Sequence, residues 1–231
     1  MVTQVDFEPA YLLQQRPYRE TSRLLEIFCA THGRVGLVAR GVRSARSKLR
    51  GVLQPFRPLL LSWRDSGELG TLTGAETNGA PLTLTGERVF HGWYLNELLL
   101  RLLQRRDPHA ALYPLYAQAL ETLSGVGGEA ALRRFEKRLL EQIGYGLQLP
   151  ETLDANSRYR YDPEHGTEPA TAHAQGTVPG AALIALRDEC FDAADTRSEV
   201  RRLLRTAIDR QLGGRELKTR RLLREIRRKL G

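Results

Sequence analysis

Cysteine is scarce, with Cys29 and Cys190 the only two in 231 residues. They stand too far apart for a local metal knuckle, and two lone thiols fit a reducing compartment. No window approaches the roughly 20 apolar residues of a membrane span. The N-terminus places Asp6, Glu8 and Pro9 where a signal peptide needs an apolar run. The expectation is a cytoplasmic protein with no membrane partner. There is no Gly-x-x-x-x-Gly-Lys-Ser/Thr phosphate loop, which speaks against ATP-driven work. Gly144-Tyr145-Gly146 is too short for a dinucleotide fingerprint. His165 and His173 share a segment without a cysteine or paired carboxylates at ligand spacing, while His32, His91 and His109 stand alone. Ser22 has no nucleophile motif around it, and no carboxylate cluster suits two metals. These absences lead to the expectation of a protein that is not an enzyme and carries neither cofactor nor metal.

Acid is missing where it matters most. From Arg40 to Phe56 the chain carries Arg40, Arg43, Arg46, Lys48 and Arg50 and no aspartate or glutamate. A loop between strands cannot bury that much charge, so it faces water or a polyanion. Two readings stand: a solvated turn that aids solubility, or a clamp on a nucleic-acid backbone, for which the arginine fork is well suited. Ser44 and Ser47 can add hydroxyl contacts, and Gly41 and Gly51 permit sharp turns. The formal charge of +8 and a pI near 9.9 favour nucleic acid or an acidic protein as partner. A hydrophobic share of 41% is enough to fill a core.

The first 80 residues read as β. Tyr11–Leu13 is a short apolar run, and Arg23–Cys29 is followed by a turn at Thr31–Gly33. Val35, Leu37 and Ala39 then alternate on one face, which is hairpin spacing. Pro58–Trp63 and Leu69–Ala75 add a second pair. Several short strands with glycine turns predict a small barrel or sandwich. Beyond Pro81 the period changes to helical: Tyr94 to Leu103, Ala111 to Leu123, and Glu129 to about Ile143. Residues 149–180 lose the pattern and read as an irregular insertion, apart from Tyr159-Arg160-Tyr161, which can begin a hairpin. Helices are predicted near Ala181–Cys190, Arg197–Leu212 and Glu216–Leu230. The composition divides the chain into domains 1–80 and 81–231, an α+β architecture.

Two helices carry further signals. The last one is decorated by Lys218, Arg220, Arg221, Arg224, Arg227, Arg228 and Lys229, with Leu217, Leu222, Leu223 and Ile226 free to pack inward. It is either a docked helix with a solvated face or a second DNA contact. In Leu132–Leu140 an apolar stripe is bordered by Arg133, Arg134, Lys137 and Arg138. Core packing explains it; so does a groove for a short acidic peptide ending in an aromatic residue.

Taken in order, these residues resemble the RecO family of bacterial recombination mediators. The resemblance rests on Glu20-Thr21-Ser22, Gly33-Arg34-Val35, Ala39-Arg40-Gly41 and Leu53-Gln54-Pro55-Phe56. It continues through Tyr94–Leu99, Leu132–Glu136, Gly144-Tyr145-Gly146, Leu212-Gly213-Gly214 and Leu217–Arg220. It implies an N-terminal OB-fold β-barrel followed by an α-helical domain. It implies binding to ssDNA and dsDNA, strand annealing, and recruitment by the acidic C-terminal tail of single-stranded DNA-binding protein (SSB). It also implies work with RecR, and in some lineages RecF, to load RecA. The DNA-binding candidates are Arg34, Arg40, Arg43, Arg46, Lys48 and Arg50, with Lys218, Arg220, Arg221 and Arg224. By motif, Arg133 is the candidate contact to the SSB tail, with Leu112, Tyr116 and Leu139 as pocket walls. Some family members have a four-cysteine zinc site after Gly-Tyr-Gly; no cysteine lies between Gly146 and Cys190 here. Two other classes stay open: an RNA-binding OB-fold protein, and an adaptor for an acidic protein.

Overall fold

A sixteen-residue strand organises the N-terminal half. In the computed structural model, which describes all residues except 1, 2, 66, 126, 127, 163, 164, 172, 173, 175, 192 and 231, the elements run in this order. The strands β1 (Thr3–Tyr18), β2 (Ser22–Cys29) and β3 (Gly33–Ala39) precede a single turn, α1 (Leu49–Val52). Next come β4 (Pro58–Asp65), β5 (Gly70–Thr77), α2 (Glu87–Leu102), α3 (Leu112–Ser124) and α4 (Gly128–Gln142). The short strands β6 (Arg158–Asp162), β7 (Gly166–Ala170) and β8 (Val178–Pro179) follow, then α5 (Gly180–Arg187), α6 (Ala194–Gln211) and α7 (Lys218–Leu230). The chain forms two compact units, residues 1–126 with 217–231, and residues 127–216. The change from strands to helices near residue 80 lies within the first.

The first unit contains a closed five-stranded barrel of order β1-β2-β3-β5-β4. Closure depends on β1, which pairs antiparallel with both β2 and β4. Register shifts between Leu12 and Gln14 on one side, and between Val5 and Glu8 on the other, let it bend across both neighbours. The parallel pairing Leu37↔Gly70 completes the ring. The period-2 pattern read from Val35, Leu37 and Ala39 is realised, since all three join Leu12, Leu25, Ile27, Leu59, Leu61 and Trp63 in the barrel core. β2 is also buried on its outer face. Phe28 there lies 5.9 Å from the Tyr113 ring and 6.1 Å from Tyr116, and Tyr11 reaches the same pair at 5.6 and 5.1 Å. The barrel therefore has an inner core and a second, aromatic one against α3. The β2–β3 turn needs Gly33: its φ is +62°, and a Cβ there would overlap the Asp107 carbonyl.

α2 begins seven residues before its expected start at Tyr94, because polar Glu87 and Arg88 form an exposed first turn that carries no apolar signal. Its Asn96 is fully inside and satisfied on both sides. The amide nitrogen donates to the Leu13 carbonyl at 2.9 Å, and its oxygen accepts from the Tyr116 hydroxyl at 2.6 Å. One buried amide thus pins β1, α2 and α3 together. Beyond α2, Arg106 forks onto both oxygens of Asp65 at 2.6 Å, which holds that carboxyl below its ordinary range.

In the second unit, α4 packs on α6 and α6 on α5, burying Leu132, Phe135, Leu139 and Leu140 with Leu183, Leu186, Leu204 and Ile208. Within the stretch expected to be irregular, residues 149–180, β6, β7 and β8 form a three-stranded sheet of order β7-β6-β8, with the hairpin beginning at Tyr159-Arg160-Tyr161 as the residues suggested, so the expectation is corrected for these strands. The pattern was faint because the strands are short and only Tyr159 and Val178 bring buried apolar side chains. Polar ties replace them. The Tyr159 hydroxyl accepts from the Asp154 amide at 2.8 Å, and Arg158 donates to Thr177 at 2.8 Å. Gly180 packs so tightly that a Cβ would overlap the Asp154 carbonyl.

Candidate nucleic-acid interface

The basic loop is an ordered lid. Val42 and Leu53, each 1% exposed, drop into the barrel core, and Leu49 and Val52 of α1 pack beside them. The apolar residues thus face down. Backbone bonds hold the rest in successive turns: Ser44 N–H to the Gly41 carbonyl, Ser47 to Ser44, Gly51 to Lys48. The Arg43 amide donates to the Thr21 carbonyl at 2.9 Å, which fastens the loop to the β1–β2 turn.

With its apolar side chains used as anchors, the loop presents its charges outward. Arg40, Arg43, Arg46, Lys48 and Arg50 are all exposed. Among the described residues none of the five forms an ion pair with a carboxylate, and Arg43 meets only the Arg19 carbonyl, at 3.2 Å. Five exposed cations on one loop over the barrel, without a carboxylate partner among the described residues, concentrate positive charge in a form that can accept anions such as phosphates.

Arg34 is placed differently. It is half-buried, and one of its guanidinium nitrogens donates to the Leu100 carbonyl of α2. Burial lowers its affinity for the proton, and Glu26 partly offsets this. It lines a cleft of about 660 Å³ between the barrel and the two helices α2 and α7. Gln14 and Arg16 of β1, Phe90 and Trp93 of α2, and Lys218 of α7 are also in its wall. Nothing in the sequence spacing signals this cleft, since its residues come from five elements between positions 13 and 222.

On α7 the cations divide. Arg220 lies over the Tyr94 ring at 5.3 Å and donates to its hydroxyl, and Arg227 forks onto Glu87 at 2.9 and 2.7 Å. These two fasten the helix to α2. Lys218, Arg221 and Arg224 are exposed, with Arg221 3.9 Å from Glu225 on the same helix. The N-terminus of α7 is capped from outside: Glu97 of α2 accepts from the Lys218 and Thr219 amides at 2.9 Å and from the Thr219 hydroxyl at 2.7 Å.

The four residues picked out for a peptide pocket do not share one unit. Leu112 and Tyr116 belong to the first, and Arg133 and Leu139 to the second. Leu112, Tyr116 and Leu139 are fully buried, and Arg133 is 6% exposed with Glu136 at 3.0 Å. The half-buried cations of α4 are Arg134 and Arg138, both drawn onto Glu189, at 3.1 and 2.7 Å. Among the histidines, His32 stands 3.6 Å from Glu8, and His165 is exposed beside Asp162; His173 lies outside the described residues. Cys29 is buried and Cys190 exposed. No three metal-ligating side chains come together among the described residues. No helix among them is long and apolar enough to cross a membrane.

Comparison with known proteins places this arrangement. The family model for recombination protein O, N terminal, matches residues 6–80, which are the barrel, and the C-terminal model matches residues 84–221. The chain belongs to the RecO family. It is 47% identical over 229 residues to a DNA repair protein RecO from Methylococcus capsulatus, covering 96% of this chain and 94% of that one. It is 45% identical over 230 residues to the protein of the same name from Alkalilimnicola ehrlichii, covering 96% and 92%. A third, from Halorhodospira halophila, is 43% identical over 229 residues, covering 95% and 97%. The two matched ranges follow the change in structure, the N-terminal model lying on the OB-like barrel and the C-terminal model on the helical part that follows.

Proposed function

We propose that this chain acts in DNA repair and recombination as a mediator that works by binding alone. It holds ssDNA and dsDNA on the basic rim of the barrel, with the exposed cations of α7 as a second contact. It anneals complementary strands and, with RecR and in some lineages RecF, helps load RecA onto SSB-coated ssDNA. The observation that carries this reading is the set of five loop cations, exposed and without carboxylate partners among the described residues, on a lid anchored by Val42 and Leu53. The similarity to DNA repair proteins RecO supports the repair role. Cations at the rim displace counterions from phosphates and reduce the repulsion between two strands, so that base pairing can proceed. Rates of annealing of complementary oligonucleotides test it. The expected result is marked acceleration at 50 mM salt that disappears by 300 mM; an unchanged rate at both salts counts against it.

The acidic SSB tail is proposed to dock through Arg133. Because Arg133 is buried against Glu136, its removal also weakens the fold, by about 1–3 kcal/mol. Arg133→Ala is expected to weaken binding of an acidic, Phe-terminated peptide while leaving affinity for naked DNA unchanged, measured below the variant's melting transition. Equal loss of both would mean that Arg133 serves the fold alone.

A further inference from the structure

The cleft beside the barrel has a composition that the basic loop does not explain. Its wall carries a partly open indole, Trp93, which is 36% exposed, and beside it Phe90 and the exposed Leu222. Gln14, an exposed amide in the same wall, offers a donor and an acceptor. Arg16 and Lys218 line it as exposed cations. The two carboxylates in the wall are already committed: Glu26 to Arg105, and Glu97 to the start of α7. Arg34 and Arg101 also line the wall, so cations outnumber carboxylates there. A flat, hydrogen-bonding group that carries phosphates at its edges fits the aromatic and the charged parts of these walls together.

The cleft is also joined to the basic loop. Phe56 ends that segment in the left-handed region, at φ +61°, and its ring meets the Trp93 indole edge-on at a centroid distance of 5.0 Å. The charged loop and the aromatic cleft are therefore neighbours through one ring pair. We infer that the cleft is a base-binding subsite for single strands: an unpaired base stacks on Trp93, Gln14 reads its edge, and Arg16 and Lys218 take the flanking phosphates. This rests on the DNA-binding reading and adds to it a reason for the protein to distinguish a single strand from a duplex, whose bases are already stacked.

The two tryptophans make the inference directly measurable. Trp63 is fully buried in the barrel core, so a ligand-dependent change in indole emission reports on Trp93. Unlabelled oligothymidylate is expected to quench that emission and a blunt duplex is not, while anisotropy of labelled versions reports binding of each. Trp93→Ala is expected to lower affinity for the single strand about 5- to 150-fold, as loss of one stacked base does. Trp93→Phe, which keeps the contact with Phe56, should stay within about threefold of the parent. Binding of oligothymidylate with unchanged emission would overturn the subsite and leave the DNA-binding reading intact. Absence of binding by either DNA would overturn both. Quenching by an acidic Phe-terminated peptide but not by oligothymidylate would give the cleft to a protein tail and overturn the inference.

Discussion

Replacing Arg43, Arg46 and Lys48 together by alanine is expected to cut the salt dependence of DNA binding by more than half. A single strand contacting five cations should show a slope of log affinity against log salt of about −3.5, at roughly −0.7 per phosphate. Removing three contacts brings it to about −1.4. Between 50 and 200 mM salt the parent then loses about 100-fold in affinity and the variant about sevenfold. All three side chains are exposed and none is ion-paired among the described residues. Their loss should leave the melting temperature within about a degree or two, since surface changes of this kind move stability by less than about 0.5 kcal/mol. The lid itself stays, because Val42 and Leu53 hold it. Fluorescence anisotropy at four salt concentrations measures the slope. A variant with the parent's slope would remove this loop from the interface.

Glu97→Ala is expected to have its largest effect on stability. The carboxylate is 8% exposed and caps a helix more than a hundred residues away in sequence, accepting two amides and a hydroxyl from Lys218 and Thr219. Its negative charge sits at the positive end of α7, where the first amides have no partner within the helix. Losing it orphans those donors and should cost about 2–3 kcal/mol. The first consequence is local. α7 is otherwise fastened to α2 by Arg220 on Tyr94 and by Arg227 on Glu87, and its many basic residues make it a trypsin substrate once it frays. Urea melts and timed trypsin digestion measure the two effects. Full stability with unchanged digestion would show that α7 docks without this cap.

Much of the barrel was legible because its physics is local. Alternation through Val35, Leu37 and Ala39, and the glycine turn before them, set the β2–β3 hairpin, and the loop charges have only one place to go. The length of β1 was not legible: its two bulges shift the apolar residues from one face to the other, so that only Tyr11–Leu13 stood out. The sheet formed by β6, β7 and β8 was faint because Tyr159 and Val178 are almost alone as buried apolar groups, and polar contacts such as Arg158 to Thr177 carry the rest. Sequence also cannot separate cations that hold a helix from cations that are free. Arg220 and Lys218 look alike in a list of charges, yet the first is spent on Tyr94 and the second is open. Arg34 is the same lesson, a candidate contact whose guanidinium serves the Leu100 carbonyl. The cleft with Trp93 is assembled wholly by the tertiary fold, and no spacing along the chain announces it.

The proposed function requires that the cationic rim of this barrel grip a polyanionic strand. Anisotropy of a fluorescein-labelled, 30-nucleotide single strand, titrated with the unaltered protein in 20 mM salt, tests it most directly. The expected result is a saturable rise that is progressively reversed as salt is raised, with a slope of about −3.5 or steeper. An oligonucleotide that tumbles as freely with the protein as without it would show that the rim does not hold DNA.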